Sequence, residues 1–122
     1  MIVKDESHVI LRVLKSISPH IDYWAIVDTG STDGCQQVIK DYFAEKNIPG
    51  ELIEMPWVDF STCRNVALNA VESKTDYGIW IDADEEFIPD EGFNMEGALS
   101  QDFDCVAIKT KYNQVEYTRK NI

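Results

Sequence analysis

The sequence predicts an α/β fold in which helices cover both faces of a mostly parallel sheet. Three observations support this class. Strand-like apolar runs alternate with amphipathic helix-like segments, and the connections between them are short. Several of the strand-like runs are apolar throughout, as strands buried on both faces of a sheet are. The length of 122 residues fits a single domain.

Five strands are predicted in order along the chain, each from a segment rich in apolar residues. They cover residues 1–3, 23–27, 51–55, 77–81 and about 105–112. The second and fourth segments are continuous apolar runs, and each is followed by an aspartate, Asp28 or Asp82. Both are therefore expected to be buried parallel strands with a carboxylate at the carboxyl end.

Three helices are predicted between these strands from apolar residues at helical spacing. The first covers residues 8–17. The second follows a polar loop in which Thr32 or Asp33 can cap it. Ser61 or Thr62 can cap the third helix in the same way. Its inward-facing residues are expected to be Ala67, Leu68 and Val71.

The charge balance restricts the possible partners. The chain carries 11 basic and 22 acidic residues, which gives a formal net charge of −11. Such a surface repels the phosphates of nucleic acids and of anionic membranes. A divalent cation can nevertheless bridge acidic side chains to a phosphorylated ligand. Nucleic-acid binding is therefore not expected. Binding of a phosphorylated ligand together with a cation is compatible with the acidic charge.

Cysteine usage and hydropathy suggest the cellular location. The three cysteines, Cys35, Cys63 and Cys105, are far apart and have no metal-ligand spacing, so free thiols are expected. The sequence shows neither a membrane-spanning run nor a signal-peptide pattern. The cytoplasm is accordingly the expected location.

Polar residues follow each of the first four predicted strands, which predicts a ligand site at the carboxyl edge of the sheet. Asp82 and Asp84 are spaced by one residue directly after an apolar run. Such oxygen ligands suit Mg²⁺ or Mn²⁺, which often complete their coordination with substrate phosphates. A second pair with this spacing, Asp102 and Asp104, lies in a polar stretch before a strand and is expected to be merely solvated.

Asp28 and Arg64 are further candidate ligand contacts, each with an alternative. The Asp28 carboxylate can cap the following turn, or it can accept a pyrimidine ring N–H or a ribose hydroxyl. Arg64 is expected in the first turn of a helix, where the helix dipole disfavours a cation. That placement favours a diphosphate or base partner, and a salt bridge to an acidic side chain is the alternative. The glycine-containing loop after Asp28 lacks a P-loop lysine, which argues against an ATPase.

Four motifs, in their order and spacing, resemble glycosyltransferase family 2, and the resemblance covers nearly the whole chain. The motifs are MIVKDE at 1–6, IVDTGSTDG at 26–34, RNVAL at 64–68 and IDADE at 81–85. The resemblance implies a GT-A fold, which is a Rossmann-like sheet that binds a nucleotide-diphosphate sugar. Residues 1–122 would then be the donor-binding part of a GT-A domain.

The resemblance also implies roles for individual residues. Asp28 would contact the nucleotide base, Arg64 the base or the diphosphate, and Asp82 would lie near the ribose. Asp84 would coordinate the divalent cation, Mn²⁺ or Mg²⁺, and Glu6 would lie where the first loop approaches the nucleotide. Asp5 departs from the family pattern, which usually has asparagine at this position.

We therefore expect a metal-dependent transferase that moves a hexosyl group from a nucleotide sugar, expected to be a UDP-sugar, to an acceptor. The acceptor could be a glycan, a lipid-linked glycan or a protein. The family implies inversion at the anomeric carbon and a general base in its C-terminal half, beyond the position of Ile122. The chain is accordingly expected to be a donor-binding portion without its own base. Uncovered apolar surface near residues 105–112 predicts self-association.

Two other functions are compatible with parts of the pattern. A nucleotidyltransferase could use a similar sheet and the same cation. A basic glycine-rich loop near the first strand would indicate this function, but residues 4–7 do not form such a loop. The other alternative is a non-catalytic module that binds the donor without transferring the sugar.

Overall fold

The computed structural model describes residues 1–100 and the backbone of the strands 107–112 and 115–120. Its elements are, in chain order, β1 (Ile2–Val3), α1 (Ile10–Ile17), β2 (Trp24–Asp28), α2 (Cys35–Lys46), β3 (Gly50–Glu54), α3 (Phe60–Glu72), α4 (Met95–Leu99), β4 (Ala107–Tyr112) and β5 (Val115–Lys120). A 3₁₀ turn, Ser18–His20, follows α1. Three residues considered above lie outside the described part of the chain, namely Asp102, Asp104 and Cys105. The side chains of residues 105–112, which are expected to cause self-association, are also not described.

The first three strands form a parallel sheet with β2 in the centre. β1 pairs with β2 through Ile2 opposite Val27 and Val3 opposite Asp28. β3 pairs with β2 along its whole length, so that Glu54 lies opposite Asp28. The strands β4 and β5 form a separate antiparallel pair. The predicted α/β class with a parallel sheet is confirmed, and the register brings the carboxyl ends of β1, β2 and β3 to one edge.

Helices cover both faces of this sheet, as expected. Val3, Ile26 and Leu52 pack in one core with residues of α1 and α2. The residues next to them in sequence, Ile2, Val27 and Ile53, pack in a second core with Cys63 and Ala67 of α3. Successive side chains of a strand point to opposite faces, so alternate residues of the same strand build the two cores.

The helices α1 and α2 each bury one apolar face against the sheet. In α1 the buried residues are Ile10, Val13, Leu14 and Ile17. In α2 they are Cys35, Ile39, Tyr42 and Phe43. Burying one large apolar side chain contributes about 1.5–3 kcal/mol, so each face anchors its helix firmly to the sheet. No helix in the described part of the chain is long and apolar enough to cross a bilayer.

The two cysteines in the described residues are free thiols, as expected. Cys35 and Cys63 are both completely buried, one in each core. Burial raises the pKa of the Cys35 thiol to about 11. Cys35 therefore stays protonated at neutral pH and acts as a small apolar side chain.

Helix α3 differs from the prediction in its cap and in the face it buries. Asp59 is the cap, and its carboxylate accepts the backbone N–H of Thr62 at 2.7 Å and the Thr62 hydroxyl at 2.8 Å. The helix thus begins at Phe60, and Arg64 lies in its second turn rather than its first. The helix dipole acts mainly on the first turn, so it does not account for Arg64. Leu68, which was expected to face inward, is 45% exposed.

The fourth predicted strand, residues 77–81, is not a hydrogen-bonded strand of this sheet. Its side chains still alternate as those of an extended chain do. Trp80 packs against the α3 core, whereas Ile81 is buried in the core of α1 and α2. The predicted burial holds for Ile81 and partly for Ile79 and Trp80, whereas Tyr77 and Gly78 are exposed. Burial of alternate side chains does not require that the backbone pair with a neighbouring strand.

Close packing at the beginning of β2 and β3 fixes how these strands pair. The ring of Trp24 stacks on Phe43 with centroids 4.3 Å apart, and its indole N–H donates to the Ile48 carbonyl at 3.0 Å. Gly50 lies opposite Trp24 in the ladder, and a Cβ atom at Gly50 would overlap the indole ring. A residue without a side chain is therefore required at this position.

We expect Gly50→Ala to lower the free energy of unfolding by about 1–3 kcal/mol, because the added methyl group displaces the Trp24 indole from its stack. Urea denaturation measures this change. Gly97→Ala is the control, since a Cβ there would meet Asn94 at an ordinary 3.7 Å within helix α4. Equal destabilisation by the two substitutions would contradict the proposed steric cause.

Candidate functional site

A buried carboxylate lies at the carboxyl end of the central strand. Asp28 is 1% exposed, and its Oδ1 accepts the backbone N–H groups of Gly30 at 2.9 Å and Ser31 at 2.8 Å. The Gln36 side-chain amide also donates to Oδ1, at 3.1 Å. The other oxygen, Oδ2, is buried without a hydrogen-bond partner among the described residues. Such an unmet acceptor costs about 1–3 kcal/mol, so the fold leaves a demand for one more donor.

The arrangement at Asp28 bears on both functions considered for this residue. Its Oδ1 caps the following turn, in the way that aspartate commonly does before a Thr-Gly-Ser sequence. Its Oδ2 takes no part in the turn. One oxygen of the same carboxylate thus organises the loop, and the other retains the capacity to accept a hydrogen bond.

Two loops meet at this edge and hold each other by hydrogen bonds. They are the loop after β1, residues 4–9, and the loop after β2, residues 29–34. The backbone N–H of Ser7 donates to Asp33 Oδ2 at 2.8 Å, which lowers the pKa of that carboxyl. Asp33 Oδ1 accepts the N–H of Cys35 at 3.0 Å, but the residue that caps α2 is Gly34, and neither Thr32 nor Asp33 caps the helix as was expected. The loop positions are therefore set by contacts between residues about 26 apart in sequence.

Asp5 is the centre of this contact between the loops. Its Oδ1 accepts the backbone N–H of Thr32 at 2.7 Å, and its own N–H donates to the Ser31 hydroxyl at 2.8 Å. Its backbone is left-handed, with φ of 54°. Aspartate and asparagine adopt this conformation more readily than other residues with a side chain, and both offer an acceptor oxygen at the same position. The departure from the family's asparagine thus preserves both properties that the position needs.

Glu6 lies in the same first loop, and its side chain is partly buried. Its carbonyl oxygen accepts the backbone N–H groups of Val9 at 3.0 Å and Ile10 at 2.9 Å. These bonds start helix α1. The Glu6 backbone therefore helps to begin helix α1. The residue itself lies in the loop after β1, at the carboxyl edge of the sheet.

Asp82 and Asp84 lie in a tight turn with different surroundings. The N–H of Glu85 donates to the Asp82 carbonyl at 3.1 Å, and the N–H of Asp82 donates back to Glu85 Oε2 at 2.9 Å. Ala83 is buried in the core, which anchors the middle of the turn. Asp84 is exposed, and its carbonyl accepts a hydrogen bond from Arg12 Nη2 at 2.6 Å. The turn therefore offers the Asp84 carboxylate to the solvent from a fixed backbone.

The ring of Trp80 contacts both Arg64 and Asp82. Trp80 was predicted only as a residue of the fourth strand. The Arg64 guanidinium carbon lies 4.4 Å from the centroid of the Trp80 ring. The Trp80 indole N–H donates to Asp82 Oδ1 at 2.8 Å. In an extended segment, residues two apart lie on the same side, so the Trp-x-Asp spacing could have indicated this contact.

The N-terminal ammonium of Met1 shares the electrostatic environment of Arg64 and Asp82. Burial lowers the pKa of this ammonium to about 5. The charge of Asp82 opposes that shift, and the charge of Arg64 adds to it. The charges of both side chains therefore act on the residue that directly precedes β1, and Asp28 is the last residue of the neighbouring strand β2.

The described residues contain no group of three or more His, Cys, Asp or Glu side chains arranged to hold a metal ion. Mg²⁺ and Mn²⁺ are nevertheless often bound by one or two carboxylates, with substrate phosphates and water completing the shell. The exposed Asp84 carboxylate is a donor of this kind. The residues present thus fit a cation that binds together with a diphosphate, and they do not fit one held by the protein alone.

A large cavity of about 1080 Å³ opens elsewhere, toward the beginning of β2. It is lined by Tyr23, Trp24 and Ala25 of that end and by Val71 of α3, among others. The candidate residues Glu6, Asp28, Arg64, Asp82 and Asp84 are not among the described residues that line it. The cavity lies beside residues 77–81, whose backbone does not pair with the described strands of the sheet. Trp80 and Ile81 of this segment are among its lining residues.

Comparisons with known proteins agree with the resemblance of the four motifs. The sequence profile described as glycosyl transferase family 2 matches residues 1–121. A TPR repeat-containing protein of Synechococcus elongatus is 32% identical over 124 residues, which cover 98% of this chain and 29% of that protein. The chain thus spans less than a third of the length of this relative. No solved structure matches the chain.

We expect Asp5→Ala to lower the free energy of unfolding by about 1–3 kcal/mol, because it removes the acceptor for the Thr32 N–H and leaves an unsuited residue at positive φ. Asp5→Asn, the matched control, keeps both the acceptor and the backbone preference and should stay within about 0.5 kcal/mol of the original protein. Urea unfolding curves compare the two. A loss in the asparagine variant equal to that in the alanine variant would show that the contact depends on charge instead.

Proposed function

The chain belongs to glycosyltransferase family 2, and on this premise we propose that it binds the nucleotide of a UDP-sugar at the carboxyl edge of its sheet. The observation that carries the proposal is the buried Asp28 carboxylate with its unpartnered Oδ2. An ionised carboxylate can only accept hydrogen bonds, so this atom calls for a donor. The family provides the class of ligand, and the ring N–H of uracil is a donor of the required kind.

Uracil fits this atom better than cytosine does. Uracil carries a hydrogen on its N3 ring nitrogen, whereas the corresponding nitrogen of cytosine is an acceptor and would face the carboxylate with a second lone pair. Because Oδ2 is buried, the base reaches it only when neighbouring groups move. The loop 29–34 is the natural element to do so, since its contacts with the first loop are exposed hydrogen bonds.

The diphosphate of the donor needs positive charge, which this acidic chain provides sparsely. Arg64 supplies a guanidinium, whose planar N–H groups suit phosphate oxygens. Asp84 supplies a carboxylate for a divalent cation that also contacts the diphosphate. When it is bound, such a cation stabilises the negative charge of the departing diphosphate. Asp82 and Glu6 complete the proposed contacts, near the ribose and at the first loop respectively.

Transfer of the sugar to an acceptor is the second part of the proposal. The step requires a base within hydrogen-bond reach of the acceptor hydroxyl. The carboxylates assigned to the donor site are already engaged there, so none of them is assigned as the base. The chain thus supplies donor binding to a hexosyl transfer that inverts the anomeric carbon, with a glycan, lipid-linked glycan or protein as the acceptor.

We expect Asp28→Asn to weaken UDP binding about 10- to 100-fold, the effect of losing a hydrogen bond to a charged group. The amide keeps one oxygen for the loop N–H groups and replaces the other with an NH₂ donor. The preference for UDP over CDP should fall as well, because this donor suits the ring nitrogen of cytosine. Calorimetric titration with both nucleotides tests the idea, and Asp90→Asn, at an exposed position, is the control. Unchanged UDP affinity and unchanged preference in Asp28→Asn would overturn the assignment.

The cation proposal has its own test. UDP should bind at least about 10-fold more tightly with Mn²⁺ than with a chelator, because the cation neutralises repulsion between the diphosphate and Asp84. Asp84→Asn should abolish most of this gain, whereas Asp90→Asn should retain it. Equal UDP affinity with and without Mn²⁺ in the unmodified protein would rule out a cation in donor binding.

A further inference from the structure

Trp80 contacts two side chains of the proposed donor site at once. The face of its ring carries the Arg64 guanidinium at 4.4 Å, and its indole N–H donates to Asp82 Oδ1 at 2.8 Å. Arg64 comes from the second turn of α3, and Asp82 opens the turn that ends at Glu85. One side chain therefore joins two elements that are far apart in sequence.

The ring is itself held in place. Trp80 is half-buried and packs against the core formed by Val27, Cys63 and Ala67. Cys63 directly precedes Arg64 on helix α3, so the ring and the guanidinium are supported by the same helix. A ring that packs against a core on one side is a better support for a flexible side chain than a second surface residue without such packing would be.

The stacking restrains Arg64 before any ligand arrives. Arg64 is exposed, and a free arginine side chain must give up many rotamers when it binds an anion. A guanidinium on the face of an indole ring is attracted to it, most strongly among the aromatic side chains. Because this order is present in the folded protein, less ordering remains to be done when a diphosphate binds.

The indole N–H acts on Asp82 in a different way. The N–H is a donor only, so it selects one carboxylate oxygen and fixes the rotation of the carboxyl group. The backbone of Asp82 is fixed as well, through the hydrogen bond from its N–H to Glu85 Oε2 at 2.9 Å. The direction in which the carboxylate can accept further hydrogen bonds is thereby determined.

We propose that Trp80 is a positioning residue that holds Arg64 and Asp82 in one arrangement for the donor nucleotide. This inference rests on the proposed donor site. Trp80 touches no ligand in this role and acts only through the two side chains. Its aromatic face contacts Arg64 and its N–H donates to Asp82, so the loss of the N–H alone can be compared with the loss of both groups.

Two substitutions separate these tasks. Trp80→Phe keeps an aromatic face under Arg64 and removes the N–H from Asp82, and it should weaken UDP binding with Mn²⁺ about 3- to 10-fold. Trp80→Leu removes both, and it should weaken binding about 2- to 5-fold further. Trp57→Phe is the matched control, because it removes an exposed indole outside this contact and should bind UDP as the original protein does. UDP affinities of both Trp80 variants equal to that of the control would overturn the positioning role.

A spectroscopic measurement tests the contact without relying on UDP. The protein has three tryptophans, whose indole N–H resonances are separable by ¹H–¹⁵N NMR and assigned by the substitutions above. Asp82→Asn should shift the Trp80 resonance and leave that of Trp24 unchanged, since Trp24 donates to the Ile48 carbonyl. An unshifted Trp80 resonance in Asp82→Asn would refute the hydrogen bond.

The two measurements also distinguish the failure of this inference from the failure of the proposed function. If the unmodified protein binds no UDP while the Trp80 resonance responds to Asp82→Asn, the donor assignment is wrong and the Trp80 arrangement is supported. If the unmodified protein binds UDP and its addition shifts the Trp80 resonance but not that of Trp24, both are supported. Binding of UDP without any effect at Trp80 would overturn the positioning role alone.

Discussion

A buried carboxylate at the end of a central strand must be hydrogen-bonded, and the carboxyl edge of this protein is built around that constraint. The Oδ1 atom of Asp28 gathers the N–H groups of Gly30 and Ser31 and the amide of Gln36. These bonds shape the loop that follows β2. Ser31 then receives the N–H of Asp5, so the loop after β1 is fixed by the loop after β2. The other oxygen, Asp28 Oδ2, is buried without a hydrogen-bond donor among the described residues, so this edge retains one buried acceptor.

The candidate site has two parts with different construction. The part around Asp28 consists of loop backbone held by side-chain acceptors, with exposed bonds between the loops. The part around Trp80 consists of side chains supported by the α3 core. Loops joined by exposed hydrogen bonds can open at low cost, whereas a ring packed in a core cannot. In the proposed donor site, the loops would therefore receive the base, and the side chains around Trp80 would provide the cationic and acidic contacts.

The differences between prediction and structure have a common physical origin. The apolar run at 77–81 was predicted to be a buried strand, yet only its end at Ile81 is buried and its backbone does not pair with β1, because burial and ladder hydrogen bonds are separate requirements. The start of α3 was predicted from the hydroxyls of Ser61 and Thr62, but the carboxylate of Asp59 is the stronger acceptor for the free N–H groups. In both cases, several candidates satisfied the same local pattern, and only the surrounding structure selects among them.

The sequence by itself determined the α/β class, the order of the first three strands along the chain, the helices between them and the family, because periodicity and motif spacing are local properties of the chain. The tertiary structure decided which oxygen of Asp28 lacks a partner, how Asp5 fixes the second loop and that Trp80 links Arg64 to Asp82. The loop and Arg64 contacts join residues 16 to 27 positions apart, whereas the Trp80 contact with Asp82 depends on the extended backbone between them. Such geometry exists only after the chain has folded, when packing has fixed distance and direction between atoms that the sequence alone leaves independent.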